Sequence, residues 1–314
     1  MCGFRPLIEQ FGKSANVSVK EFYVPCYRAS PLKMIRNILY VYRNRSKTGI
    51  NHITGDIHYC VIGLTGCKSV LTIHDDSPVA AARNRIDRLL KRFLWFYIPI
   101  KLADKVVCIS DHTKKRVDDL AKNDKTSVLV NQSVDTGFNC VEKVFNKECP
   151  VILQIGTLKH KNLETTIRAI QGIKCKLRVI SEMTGEQHQL AGDLGIDYSN
   201  AYDLSDREMV NEYISADIVA FPSLYEGFGM PILEGQATGR TVITSAASPM
   251  KEVAGGGCAL LKNPLDVTEY RNLILRIIHE DLFREDLIRK GLENVKKYTV
   301  KHAYEQYDRL YREI

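Results

Sequence analysis

At 314 residues, 45% hydrophobic and 26% charged, the chain has an ordinary globular composition and enough length for two domains whose cores need no disulfides. Nine scattered cysteines never form a C-x-x-C pair, which excludes a zinc or redox motif of that kind, and no apolar run approaches the roughly 18 residues of a membrane span. The net charge of +7 divides unevenly, +10 over residues 1–150 (24 Lys+Arg, 14 Asp+Glu) and −3 over 151–314 (20 and 23), so the first half suits an anionic partner without saying which.

The amino terminus lacks the apolar core of a signal peptide, and the cysteines read as small core residues of a reducing compartment, so the expected location is the cytoplasm. A helix is predicted over Leu7–Ala15 and a strand over Val17–Val24. Residues 31–47 set Met34, Ile35, Ile38, Leu39 and Tyr42 among Lys33, Arg36, Arg43, Arg45 and Lys47, a basic amphipathic helix that suits a membrane surface or a lipid phosphate. A second such stretch, Arg83–Ile98, holds five cations and the single tryptophan, Trp95, and reads as a helix packed on its own sheet. From about residue 51, short β-branched runs alternate with amphipathic stretches, the pattern of parallel sheets flanked by helices. Strands are predicted at Ser69–Ile73, Lys105–Cys108 and Thr126–Val130.

The polar stretch Asn139–Pro150 reads as a boundary, because strand Val151–Ile155 restarts the strand–loop–helix pattern. Further strands are predicted at Leu177–Ile180, Asp217–Phe221 and Val242–Thr244, with capping boxes at Ser205/Glu208 and Asp266/Glu269. The final segment, Val300–Ile314, is helical with Tyr304, Tyr307, Leu310, Tyr311 and Ile314 on one side, a stripe that needs a surface to cover.

The segment Ala216–Ala237, ADIVAFPSLYEGFGMPILEGQA, carries most of the chemical information. A strand runs into a loop with Gly227 and Gly229, and a helix is predicted from Pro231. The loop therefore lies at the carboxyl end of a parallel strand, where open α/β sheets bind ligands, and the helix start offers N–H groups to a diphosphate. Glu226 before the helix and Glu234 one turn into it can each accept hydrogen bonds from paired hydroxyls of one elongated ligand, although lone glutamates at a helix start also arise from capping alone.

The stretch Glu226-Gly-Phe-Gly-Met-Pro-Ile-Leu-Glu234 resembles the Glu-x7-Glu motif of retaining glycosyltransferase family 4. The likeness runs from about His52 to the carboxyl terminus and takes in Ile155-Gly-Thr-Leu-Lys-His-Lys-Asn162, Thr72-Ile-His-Asp75, Cys108-Ile-Ser110, Asn131 to Asp135 and Glu252-Val-Ala-Gly255. It implies the α/β GT-B fold: two Rossmann-like, doubly wound domains facing a central cleft. Residues 1–145 would form the acceptor side, 146–298 the nucleotide-sugar domain, and 299–314 a helix crossing back to the first domain. The family's first strand and glycine loop have no counterpart in Met1-Cys-Gly-Phe-Arg-Pro, which leaves Gly3 and Arg5 weak candidates for acceptor contacts.

Carried over by position, the resemblance implies that Glu226 holds the donor sugar, Glu234 the ribose and Lys161 the diphosphate. Gly156 and Thr157 would line the donor, with Gly227, Phe228, Gly229, Met230 and Pro231 beside them, while His74 would face the sugar. Many members carry an arginine where this chain has Thr157, leaving Arg178, Lys159 or His160 to supply a second cation. The implied activity is retaining transfer of a hexose from a UDP- or GDP-sugar to a glycan or polyprenyl-linked acceptor, for cell-surface polysaccharide, on the inner membrane face. No cofactor and no metal are expected, since the sequence has no D-x-D triplet, and no nucleic-acid module is visible. Two other readings share the fold: a sugar-nucleotide epimerase or phosphorylase, and a non-catalytic nucleotide-sugar-binding subunit.

Overall fold

In a computed structural model, which describes residues 5–13, 17–27, 30–80, 82–121, 126–128, 134 and 137–314, the alternating pattern produces two all-parallel sheets. The chain divides into two units, Met1–Ser133 with Val300–Ile314, and Val134–Thr299.

In the first unit, strands β1 (Asn51–Ile53), β2 (Ser69–Ile73), β3 (Lys105–Cys108) and β4 (Thr126–Val128) lie side by side in chain order. All five residues of β2 are buried, as parallel strands covered on both faces require. Alternation assigns the two faces. Leu71, Ile73, Val106 and Cys108 pack with Tyr59, Leu64, Phe96 and Ile100, whereas Val70 and Val107 pack with Tyr307 and Leu310 of the final helix, Val300–Arg312. The tyrosine stripe of that helix thus covers one face of this sheet together with the helix Arg5–Gly12. The Phe11 and Tyr304 rings lie 4.5 Å apart, and Tyr311 Oη meets His52 Nδ1 at 2.7 Å.

Several expectations fail. Val17–Val24 forms no strand: the segment is irregular and Val17, Val19, Phe22 and Tyr23 are exposed, because alternation without a sheet edge to pair with does not make a strand. The cysteines are not uniformly core residues; Cys60, Cys108, Cys175 and Cys258 are buried, but Cys140 is exposed. The stretch from Arg83 splits into a helix Arg85–Lys91, a wide turn Arg92–Tyr97 and a helix Ile98–Leu102. Only its latter half packs inward, through Trp95, Phe96, Pro99 and Ile100.

In the second unit the sheet order is β10-β9-β8-β5-β6-β7, with β5 Val151–Ile155, β6 Lys176–Ile180, β7 Tyr198–Ala201, β8 Ile218–Phe221, β9 Thr241–Ser245 and β10 Ala259–Leu261. The chain winds outward from β5 to β7, then returns to place β8 on the other side of β5. That reversal is a topological switch point, and the crevice outside the carboxyl ends of β5 and β8 is where such sheets take ligands. Ser205 and Glu208 close a capping box on helix Asp206–Ser215. Asp266 caps helix Val267–His279, but Glu269 turns away to accept from the Lys262 and Asn263 amides, so no box closes there.

Candidate functional site

The loops following β5 and β8 meet at the switch point. After β5 the chain turns at Gly156, whose φ of 89° lies in the region other residues avoid and whose missing side chain leaves room for Lys161; a Cβ there would come 2.8 Å from Lys161 Cγ. The loop is held by its own polar groups. Gln154 Nε2 donates to Lys161 O at 3.0 Å, and the Leu224 amide donates to His160 O at 2.8 Å, tying the β5 loop to the β8 loop. Asn162, in the left-handed conformation, donates to Pro264 O at 2.7 Å and accepts from Thr165.

This scaffolding brings Lys161 Nζ within 2.5 Å of Glu226 Oε1, with both side chains less than one-fifth exposed, and sets Nζ 4.9 Å from the Phe221 ring centre. A cation and an anion from separate loops thus neutralise each other at the carboxyl edge of the sheet. Beyond Glu226, Gly229 adopts φ 114° and caps helix Met230–Ala237, which begins one residue earlier than Pro231. Phe228 and Gly229 are buried while Met230 and Pro231 are half-buried. Gly235 lets this helix lie directly on the sheet; a Cβ there would meet Val242 Cγ2 at 2.8 Å.

Glu234 accepts a 2.5 Å hydrogen bond from Tyr213 Oη. Tyr213 is fully buried against Phe138, and burial together with the neighbouring carboxylate raises its phenol well above the usual range, so it donates at any physiological pH. Sequence reading missed this residue, because nothing in the local run Asn211-Glu212-Tyr213-Ile214-Ser215 ties it to Glu234.

The cations named as substitutes for an arginine at position 157 divide. Arg178 is engaged by Glu212 through two hydrogen bonds, Nε to Oε2 at 2.8 Å and Nη2 to Oε1 at 2.5 Å, which withdraws it from that role. Thr157 is buried and donates to Glu182 O at 2.6 Å. Lys159 is exposed, and the His160 ring stacks on Tyr225 at 4.7 Å, its pKa lowered by burial and by Lys161.

His74 belongs to the first unit, just after β2, where Nε2 lies 2.8 Å from Thr54 O and the backbone carbonyl accepts from Thr113 Oγ1 at 3.1 Å. The donor bond to a carbonyl places a proton on Nε2. In the resembling stretch 131–135 only Val134 is among the described residues, and Gly3 and the Arg5 side chain lie outside them. Glu252 is in helix Met250–Ala254, which ends at the left-handed Gly255. Among the described residues no group of His, Cys, Asp or Glu is arranged to hold a metal, and no helix is long and apolar enough to cross a membrane.

At the switch-point crevice a glycine-turned lysine thus meets Glu226, beside the helix that carries Glu234. The family model described as "Glycosyl transferases group 1" matches residues 139–294, and that part of the chain belongs to the family. Over 116 residues it is 34% identical to an MMP alpha-(1->4)-mannosyltransferase of Mycolicibacterium hassiacum, a match that takes in 36% of this chain and 28% of that protein. The fold is GT-B. It is shared with sucrose-phosphate synthase of Thermosynechococcus elongatus (TM-score 0.76, 19% identity, 90% of this chain and 78% of that one). It is also shared with HepE of Anabaena, solved with UDP and glucose (TM-score 0.74, 14% identity, 90% and 82%).

Proposed function

We propose that the protein is a retaining glycosyltransferase that moves a hexose from a UDP- or GDP-sugar to a glycan or polyprenyl-linked acceptor in cell-surface polysaccharide synthesis. The observation that carries the reading is the Lys161–Glu226 pair at the switch point, 2.5 Å apart. Departure of a nucleoside diphosphate builds negative charge on the leaving oxygens and positive charge on the sugar ring. A donor entering the crevice would take Lys161 for its diphosphate and Glu226 for its sugar hydroxyls, so each charge of the pair finds a new partner. The N–H groups at the start of helix Met230–Ala237 add fixed positive potential beside the diphosphate, the preorganised kind of electrostatics that dominates many active sites. Glu234, oriented by Tyr213, would hold the ribose. His74 would contact the sugar, and the sugar would be attacked from the face the diphosphate leaves, with no enzymic nucleophile. The scheme requires no metal. Support comes from the family match, from the mannosyltransferase activity of the Mycolicibacterium relative and from the UDP and glucose bound by HepE. The cationic helix Pro31–Asn44 would contribute to holding the protein at the inner membrane face, where a lipid-linked acceptor resides.

Calorimetry with bare UDP and GDP tests the site. One of them should bind the wild-type protein, and Lys161→Ala and Glu234→Ala should each weaken it by about 1.5–3 kcal/mol, the worth of one charge-assisted hydrogen bond. Glu226→Gln should bind it equally or more tightly, because Lys161 loses its competing partner, yet turnover with a nucleotide-sugar should fall. Failure of the wild-type protein to bind either nucleotide would remove the donor-site assignment.

A further inference from the structure

The described residues of the first unit carry a run of large apolar side chains turned away from their own core. Helix Arg85–Lys91 has no buried residue at all. Ile86, Leu89, Leu90, Phe93 and Tyr97, spaced at three, four, seven and eleven from Ile86, are 71%, 65%, 55%, 49% and 45% exposed. That spacing is one helix face, and the residues that do reach the core, Trp95 and Phe96, belong to the other side. The Phe93 and Tyr97 rings stack at 5.6 Å and extend the face as a flat aromatic end. An apolar face of this size in water gains nothing from the unit's own packing, so its sequence answers to something outside the unit.

The surrounding charge indicates what. Residues 83–102 hold six cations (Arg83, Arg85, Arg88, Lys91, Arg92 and Lys101) against the single carboxylate Asp87, which Lys91 meets at 2.9 Å. Arg83, Arg85, Arg88 and Lys101 are exposed. A second helix, Pro31–Asn44, repeats the arrangement: Met34, Ile38 and Val41 pack inward, while Leu32, Ile35, Leu39 and Tyr42 form an outer row beside Lys33, Arg36 and Arg43. Helix Pro31–Asn44 and the turn Arg92–Tyr97 are both seated on the turn His58–Leu64. Asn37 donates to Tyr59 Oη at 2.9 Å, and the Tyr59 ring meets the Trp95 ring at 5.0 Å.

We propose that the outer face of Arg85–Tyr97 is a docking surface for an anionic lipid bilayer and is its principal contact, with the outer row of Pro31–Asn44 as the lesser one. Aliphatic and aromatic side chains enter the headgroup boundary while the flanking arginines meet lipid phosphates, the mode of interfacial amphipathic helices. A bilayer meets two separate cationic, apolar rows without the matched contour a protein partner would need. The inference does not rest on the transferase reading.

Sedimentation of the full chain with vesicles of phosphatidylcholine, with and without phosphatidylglycerol, tests it. The wild-type protein should bind the phosphatidylglycerol vesicles and lose binding as salt rises. The triple variant Leu89→Ser, Leu90→Ser, Phe93→Ser should lower the partition at least tenfold, with unchanged circular dichroism and unchanged nucleotide binding, since none of the three is buried. Arg85→Gln with Arg88→Gln should lower it about fivefold per cation at low salt only. Leu32→Ser with Ile35→Ser should cost less than the triple variant. The proposal is overturned if the wild-type protein ignores phosphatidylglycerol vesicles or if the triple variant binds them as the wild type does. It is equally overturned if ultracentrifugation shows a wild-type dimer that the triple variant abolishes while vesicle binding is untouched.

Discussion

Tyr213 and Glu234 show how a residue acquires a role from a neighbour that sequence does not announce. The glutamate carboxylate is aimed by a hydroxyl 21 positions earlier, on helix Asp206–Ser215, and the phenol stays protonated to donate to it. Tyr213→Phe keeps the packing against Phe138 and removes only that bond. We expect donor KM and the Kd of the bare nucleotide to rise by an amount worth about 1.5–3 kcal/mol, with kcat little changed, because ribose contacts are the same in ground and transition states. A variant that binds nucleotide normally but turns over slowly would show that Tyr213 positions something other than the ribose contact. At this scale Glu226 and Glu234 were legible as types and spacing, and Lys161 only through the family resemblance. The meeting of Lys161 with Glu226 was not, since their 65-residue separation is closed only by β5 and β8 lying side by side.

At the scale of elements, the buried strands were readable and three of the four edge strands were not. Ser69–Ile73, Lys105–Cys108 and Val151–Ile155 begin and end where their β-branched runs do, because a strand covered on both faces must be apolar throughout. The edge strands Tyr198–Ala201 and Asn51–Ile53 carry polar residues and gave no such signal. The turn after β5 is the element on which the site depends. Gly156→Ala would place a Cβ 2.8 Å from Lys161 Cγ at φ 89°. We expect a stability loss of about 1–3 kcal/mol by denaturant unfolding and, separately, weaker binding of the nucleoside diphosphate as Lys161 is displaced. An Ala variant as stable and as tightly bound as the wild type would mean that the loop can relax without cost.

For the whole molecule, acid is the informative perturbation. Burial holds His52 down to about 3 and His58 to about 4, and both lie in the first unit. In the unfolded chain each titrates near 6.5, so below that pH the unfolded state takes up protons the folded state refuses. Stability is therefore present above pH 6.5 and lost as pH falls, by up to about 1.4 kcal/mol per histidine per pH unit. His160 works in the same direction, and Asp56, raised by burial and by Asp75, works against it. Urea unfolding at pH 7.5 and 5 should show the loss, and His58→Leu should shrink it; equal stability at the two values would mean that these rings are protonated in the folded protein. Sequence by itself determined the class of fold, the parallel strands, the loop and helix start that carry Glu226 and Glu234, and the amphipathic character of the final helix, because each is written in local spacing and residue type. Only tertiary structure decided that Arg178 is taken by Glu212, that Lys161 reaches Glu226, that Tyr213 aims Glu234 and that half of the Arg83–Ile98 stretch turns its apolar face outward. The reason is common to all four: which partner a charge or an apolar face finds depends on chain segments far away in sequence, and local periodicity carries no information about them.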